Sequence, residues 1–195
     1  MKLLLSFLIF WAFSNPQFEQ ARTLYYQGAD GNNAAYASAD KLFSSLYGEH
    51  SDEPRIEVYY GSLRLLEASH TWALWKKNSL SKQGIQLMDA AVQGAPSDLE
   101  VRFVRAATTY DLPGFFHRKQ QSEQDFAYLA ERAAEASKTG ALEPRLAAAS
   151  LYYHAEFLRE AGKNVDARQF WTQAINLAPK SRAARDSREE LKKTG

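Results

Sequence analysis

Apolar residues recur at intervals of three and four along almost the whole chain after residue 15. No stretch keeps the two-residue alternation of a half-buried strand, so the pattern reads as helix throughout. It predicts helices over 16–28, 33–47, 54–70, 72–93, 98–111, 121–138, 143–161, 164–177 and 181–192. The breaks between them carry recognisable signals. Asp30-Gly31-Asn32-Asn33 is a helix-linking turn, and Pro113-Gly114 ends a helix because proline lacks the amide proton that the next turn needs. Gly140 followed by Pro144 reads as a stop and then a start. Ser97-Asp98-Leu99-Glu100 has the spacing of a capping box, with Ser97 and Glu100 satisfying each other's free amides. Gly162-Lys163 is the turn before a helix that Asn164 or Asp166 caps. The polar, amphipathic 181–193 has the character of a closing helix.

A repeat underlies this pattern. Tyrosine pairs stand at Tyr25-Tyr26, Tyr59-Tyr60 and Tyr152-Tyr153, each after an apolar residue. Each has a small residue three positions beyond its first tyrosine: Gly28, Ser62 and Ala155. A weaker copy places Phe103 before Ala106. Downstream, Met88-Asp89-Ala90-Ala91-Val92-Gln93-Gly94-Ala95-Pro96 aligns with Trp171-Thr172-Gln173-Ala174-Ile175-Asn176-Leu177-Ala178-Pro179. Unequal spacing between the copies is accounted for by two insertions. One includes Thr71–Leu80, and the other is centred on 112–117, where Phe115 and Phe116 follow the Pro-Gly turn and are expected to tuck back on the body.

These residues resemble the tetratricopeptide repeat, a 34-residue helix–turn–helix unit. Ala148–Ser181 is similar to one full copy: Leu151, Ala155 and Leu158 match its first helix, and Gly162 its turn. Ala167, Trp171 and Ala174 match its second helix, and Pro179 its terminal proline. His154 departs from the expected aliphatic residue. The resemblance is looser over 54–96 and weakest in the first and third units. It implies an all-α fold: a right-handed α-α superhelix of about four such hairpins with a C-terminal capping helix. A unit of this kind cannot bury its apolar face alone, so neighbours share one core.

Composition narrows the function. Of 195 residues, 24 are Lys or Arg and 23 are Asp or Glu, giving a net charge of +1. That balance argues against a dedicated nucleic-acid binder. Residues 15–54 are net −4 and residues 180–195 net +3, which reads as two solvated faces or, alternatively, as an acidic face for a basic partner and a basic face for an anionic surface. The absence of cysteine removes disulfides, thiolate zinc sites and cysteine nucleophiles. Met1–Phe13 has one lysine before a short apolar run, too short to span a bilayer. It has the form of a secretory signal with cleavage after Ser14, leaving 15–195 as a single repeat domain, exported to the periplasm or beyond, with no membrane span after cleavage.

Catalytic patterns are missing from the sequence. It has no Gly-x-Ser-x-Gly, phosphate loop, dinucleotide fingerprint or His-Glu-x-x-His. Glu67-Ala68-Ser69-His70 is one half of a di-iron carboxylate motif without its second half. The expectation is therefore a non-enzymatic protein with no cofactor and no metal. The resemblance implies that the first helix of each hairpin lines a groove. It places Tyr25, Tyr59, Phe103 and Tyr152 at the fifth, groove-facing position, and Glu156 and Arg159 at the ninth and twelfth of the last unit. Rings so placed are expected to be partly exposed, with Tyr59→Ala weakening binding and sparing stability. Arg102 and Arg105, one turn apart, either fork around a ligand's carboxylate or phosphate or pair with Glu100 or acids on adjacent helices. The leading expectation is a module binding a protein or peptide partner; the alternative is a secreted helical carrier of a small or lipidic ligand.

Overall fold

A computed structural model describes residues 15–194, and the expected signal segment and its cleavage point lie outside the described residues. Nine α-helices appear among the described residues: α1 Pro16–Ala29, α2 Asn33–Glu49, α3 Pro54–His70, α4 Leu74–Gly94, α5 Leu99–Thr109, α6 Lys119–Thr139, α7 Pro144–Glu160, α8 Asn164–Leu177 and α9 Arg182–Lys193. A single 3-10 turn, Gly114–Phe116, lies between α5 and α6. The chain divides after Gly94 into two compact units. Within each unit, consecutive helices pack on one another, and in the second α9 also packs on α7.

Local chemistry sets the boundaries. Pro16, Pro54 and Pro144 each open a helix, where the missing amide proton costs nothing. Asn15 caps α1 by accepting from the amides of Gln17 at 2.9 Å and Phe18 at 3.3 Å. Asn32 caps α2 through the amide of Ala35, so the Asp30–Asn33 segment is a helix-linking turn. At the end of α7, Gly162 takes the left-handed conformation with φ 76°. Its amide bonds to the Arg159 carbonyl and that of Lys163 to the Leu158 carbonyl, the paired bonds of a Schellman motif.

Three local expectations are corrected. The cap of α5 is Asp98, not Ser97: its carboxylate accepts from the amides of Glu100 and Val101. An anionic acceptor holds the free amides at a helix start more strongly than a hydroxyl. Neither Asn164 nor Asp166 caps α8, which follows directly from the Gly162 turn with Lys163 at the cap position and no side-chain cap. Phe115 does not tuck back: it is largely exposed, its ring 4.5 Å from that of the half-buried Phe116.

The core of the first unit is aromatic. Tyr59 of α3 is fully buried, stacked on Phe43 of α2 at 4.8 Å and edge-on to Tyr25 and Phe18 of α1. Its hydroxyl donates to the Tyr26 hydroxyl at 2.8 Å, and the Tyr25 hydroxyl bonds Ser62 Oγ at 2.7 Å. Polar tips that burial would otherwise strand are thus satisfied against each other. Helices α3 and α4 approach so closely that a Cβ on Gly84 would lie 2.5 Å from the Gly61 carbonyl oxygen.

In the second unit Phe126 of α6 stacks on Tyr153 of α7, and Trp171 of α8 is buried with Ala155 and Ala167. The two aligned signatures have matching burial: Met88 and Ala91 in one, Trp171 and Ala174 in the other, all fully buried. His154, at the position of an expected aliphatic, sets its ring edge-on to Phe170 at 4.6 Å.

Candidate functional site

Aromatic rings supply large contact area at small rotamer cost, which makes the tyrosine pairs the sequence's candidate binding face. The structure puts most of them elsewhere. Tyr25 and Tyr59 are buried together in the first unit's core, and Phe103 is buried in the second, edge-on to Phe126 at 6.2 Å. The expectation of partial exposure fails for these three rings. Helical register fixes that they share a position; it does not fix that the position is left uncovered. Here the neighbouring helices cover it. Tyr152 differs: it is half-buried against the Trp171 cluster. Burial, then the negative charges of Glu156, Asp186 and Glu190, push its phenol above the usual range, so it is neutral and available as a hydrogen-bond donor.

Glu156 and Arg159 also lie on α7. Glu156 is buried, and its carboxylate accepts from the Trp171 indole at 3.2 Å and from Arg159 Nη2 at 2.8 Å. It serves as an internal strut between α7 and α8. The Arg159 side chain is 39% exposed, and its Nε stands 3.9 Å from Glu190 of α9. The Glu156 hydrogen bond, with Glu156 and Glu190 nearby, holds Arg159 further into its charged form.

The Arg102–Arg105 fork is filled from within. Asp125 of α6 is almost completely buried between the two guanidinium groups. Arg102 Nη1 donates to it at 2.6 Å, and Arg105 donates through Nε and Nη2 at 3.0 Å each. Gln121 adds a further bond to the same carboxylate. Arg102 also donates to the Pro96 carbonyl and lies 4.4 Å from the Tyr128 ring. Of the alternatives, pairing with an acid on an adjacent helix is realised, through Asp125. Of the eight candidates, Tyr25, Tyr59, Phe103 and Glu156 are buried, Arg102 and Arg105 are partly buried around Asp125, Tyr152 is partly buried, and Arg159 has a side chain 39% exposed.

Sequence reasoning passed over other surfaces. Trp72 is 92% exposed, Leu74 81% and Trp75 78%, where α3 turns into α4. The signal was present: Trp75 is followed at helical spacing by Asn78, Ser79 and Lys82, a polar stripe that gives its ring nothing to pack on. Glu67, once considered as half of a metal motif, is engaged by Arg64 at 2.7 Å and Lys76 at 3.0 Å. Among the described residues no group of three metal-capable side chains converges. A cleft of about 400 Å³ in the first unit is lined by Asn15, Phe18, His50, Asp52, Glu53, Arg55 and Ile56; its charged rim suits a polar occupant better than a lipid.

No helix among the described residues is long and apolar enough to cross a membrane. No protein-family model matches this chain, and no curated protein or solved structure is significantly similar to it.

Proposed function

We propose that the chain is a non-enzymatic, exported module of the tetratricopeptide type, a right-handed stack of helical hairpins that binds a protein or peptide partner. The observation that carries this reading is the packing of Ala148–Ser181. Every small or aromatic residue assigned by the resemblance to inter-helix contact, Ala155, Ala167, Trp171 and Ala174, is fully buried. The turn between the two helices is made by Gly162 in the left-handed region, as the repeat requires. A scaffold held this firmly presents its exposed groups without further ordering, which lowers the entropic cost of binding.

On this reading, the partner is held at Tyr152 and Arg159 of α7. The first supplies a neutral phenol on a half-buried ring, the second a guanidinium that can reach a carboxylate. The test is partner capture by the exported chain, with Tyr152→Ala and Arg159→Ala compared with the parent at matched thermal stability. Loss of capture in both supports the reading; capture unchanged in both removes this site.

A further inference from the structure

The tip of the α3–α4 hairpin has a composition that folding does not explain. Trp72, Leu74 and Trp75 are almost fully exposed, so their apolar area contributes little to the core. Side chains 74–79 at the start of α4 are all exposed, and Leu80 is the first buried one. Exposure therefore runs round the whole circumference of the first turn, not along one stripe. Among the described residues, neither indole N–H has a partner within the protein. The tip is nonetheless firmly based, because the close approach of Gly61 and Gly84 locks the two helices together below it.

Charge completes the pattern. Between Glu67 and Asp89 the chain carries three lysines, Lys76, Lys77 and Lys82, and no acidic residue. Lys76 reaches back to Glu67, whereas Lys77 and Lys82 are exposed and, among the described residues, without an ion pair.

We infer that this tip is a peripheral membrane contact that seats Trp72, Leu74 and Trp75 in the interfacial region of a bilayer rich in anionic phospholipid. A protein surface covers one face of a helix, whereas a lipid interface surrounds an inserted tip on all sides, as the exposure here demands. Tryptophan suits that depth because its ring is apolar while its N–H can bond headgroup oxygens. Lysines just behind the rings extend their apolar stems along the interface and place their ammonium groups among the phosphates. The inference adds a location for the module and does not depend on the protein partner proposed for α7.

The test reads the tip directly. In full-length chain carrying Trp11→Phe, emission comes from Trp72, Trp75 and the buried Trp171. Vesicles of brominated phosphatidylcholine, with and without phosphatidylglycerol, are titrated in. The expected result is strong quenching on the anionic vesicles, with Trp171 supplying an unquenched remainder. Trp72→Ser with Trp75→Ser abolishes co-sedimentation of the chain with the anionic vesicles while leaving the thermal melt unchanged. Lys77→Glu with Lys82→Glu weakens the titration on anionic vesicles by about tenfold or more, since each lysine near such a surface is worth roughly fivefold. Absence of quenching on anionic vesicles overturns the inference. So does quenching that is equal on neutral vesicles and indifferent to the lysine changes. A photo-crosslinker at position 75 that captures a protein, with no quenching by lipid, assigns the tip to a protein partner and also overturns it.

Discussion

Asp125 sits between Arg102 and Arg105 with both carboxylate oxygens occupied, a buried charge held by two guanidinium groups from the neighbouring helix α5. Desolvation of three charges is offset only while the set is complete. Asp125→Ala deprives two largely buried cations of this shared carboxylate and is expected to cost about 3–5 kcal/mol in a urea melt. Replacing all three by apolar residues of similar volume (Arg102→Met, Arg105→Leu, Asp125→Leu) should restore most of the loss. A single-variant cost below about 1 kcal/mol would place the three side chains in water.

Tyr59 gives the sharpest contrast between a groove residue and a core residue. Its ring is enclosed by Phe18, Tyr25 and Phe43, and its hydroxyl is bonded to that of Tyr26. Tyr59→Ala is therefore expected to lower stability by about 3–5 kcal/mol, the range for truncating a buried aromatic. Tyr59→Phe removes the hydroxyl and leaves that of Tyr26 without this donor, at about 1 kcal/mol. Chemical denaturation of both variants checks the ordering; a wild-type midpoint for Tyr59→Ala would return the ring to solvent.

Close packing is testable where side chains are smallest. Ala174 is fully buried on α8, and Ala174→Leu is expected to overpack the hairpin by about 1–3 kcal/mol. Gly84→Ala should be comparably harmful, since the added methyl would meet the Gly61 carbonyl and the Leu65 amide nitrogen, both backbone atoms that cannot swing aside. A midpoint unchanged in both variants would mean that the helices cross further apart.

How much of this was visible beforehand depends on the kind of signal. Prolines at 16, 54 and 144 and glycines at 31, 140 and 162 act on their own backbone, so the helix boundaries could be read locally. The alignment of Met88 and Ala91 with Trp171 and Ala174 was also legible, because shared register means shared burial when the partner helix is present in both copies. The fate of Tyr25, Tyr59 and Phe103 was not. Periodicity says which residues share a face, and only tertiary packing decides what covers it. Trp72 and Trp75 lie in the Thr71–Leu80 insertion, where the polar residues that follow Trp75 at helical spacing leave the rings in solvent.

His154 offers a pH-dependent check. Burial against Phe170 lowers its basicity below the ordinary histidine value, with Glu123 and Glu131 opposing the shift and Lys163 reinforcing it. The unfolded chain then binds more protons than the folded one near pH 6, so stability falls as pH drops below about 6.5. His154→Leu should flatten that part of the stability profile between about pH 7 and pH 5. An unchanged slope in the variant would assign the acid sensitivity to other groups.

The most direct measurement of the proposed binding role places a photo-reactive phenylalanine at position 152, with the exposed position 135 of the same unit as control. After illumination in cells that naturally make the protein, adducts are resolved by mass. A binding module acting through α7 yields a discrete protein or peptide adduct from position 152 and none from position 135. An absence of any intermolecular protein adduct at position 152, or the same adducts at both positions, would contradict it.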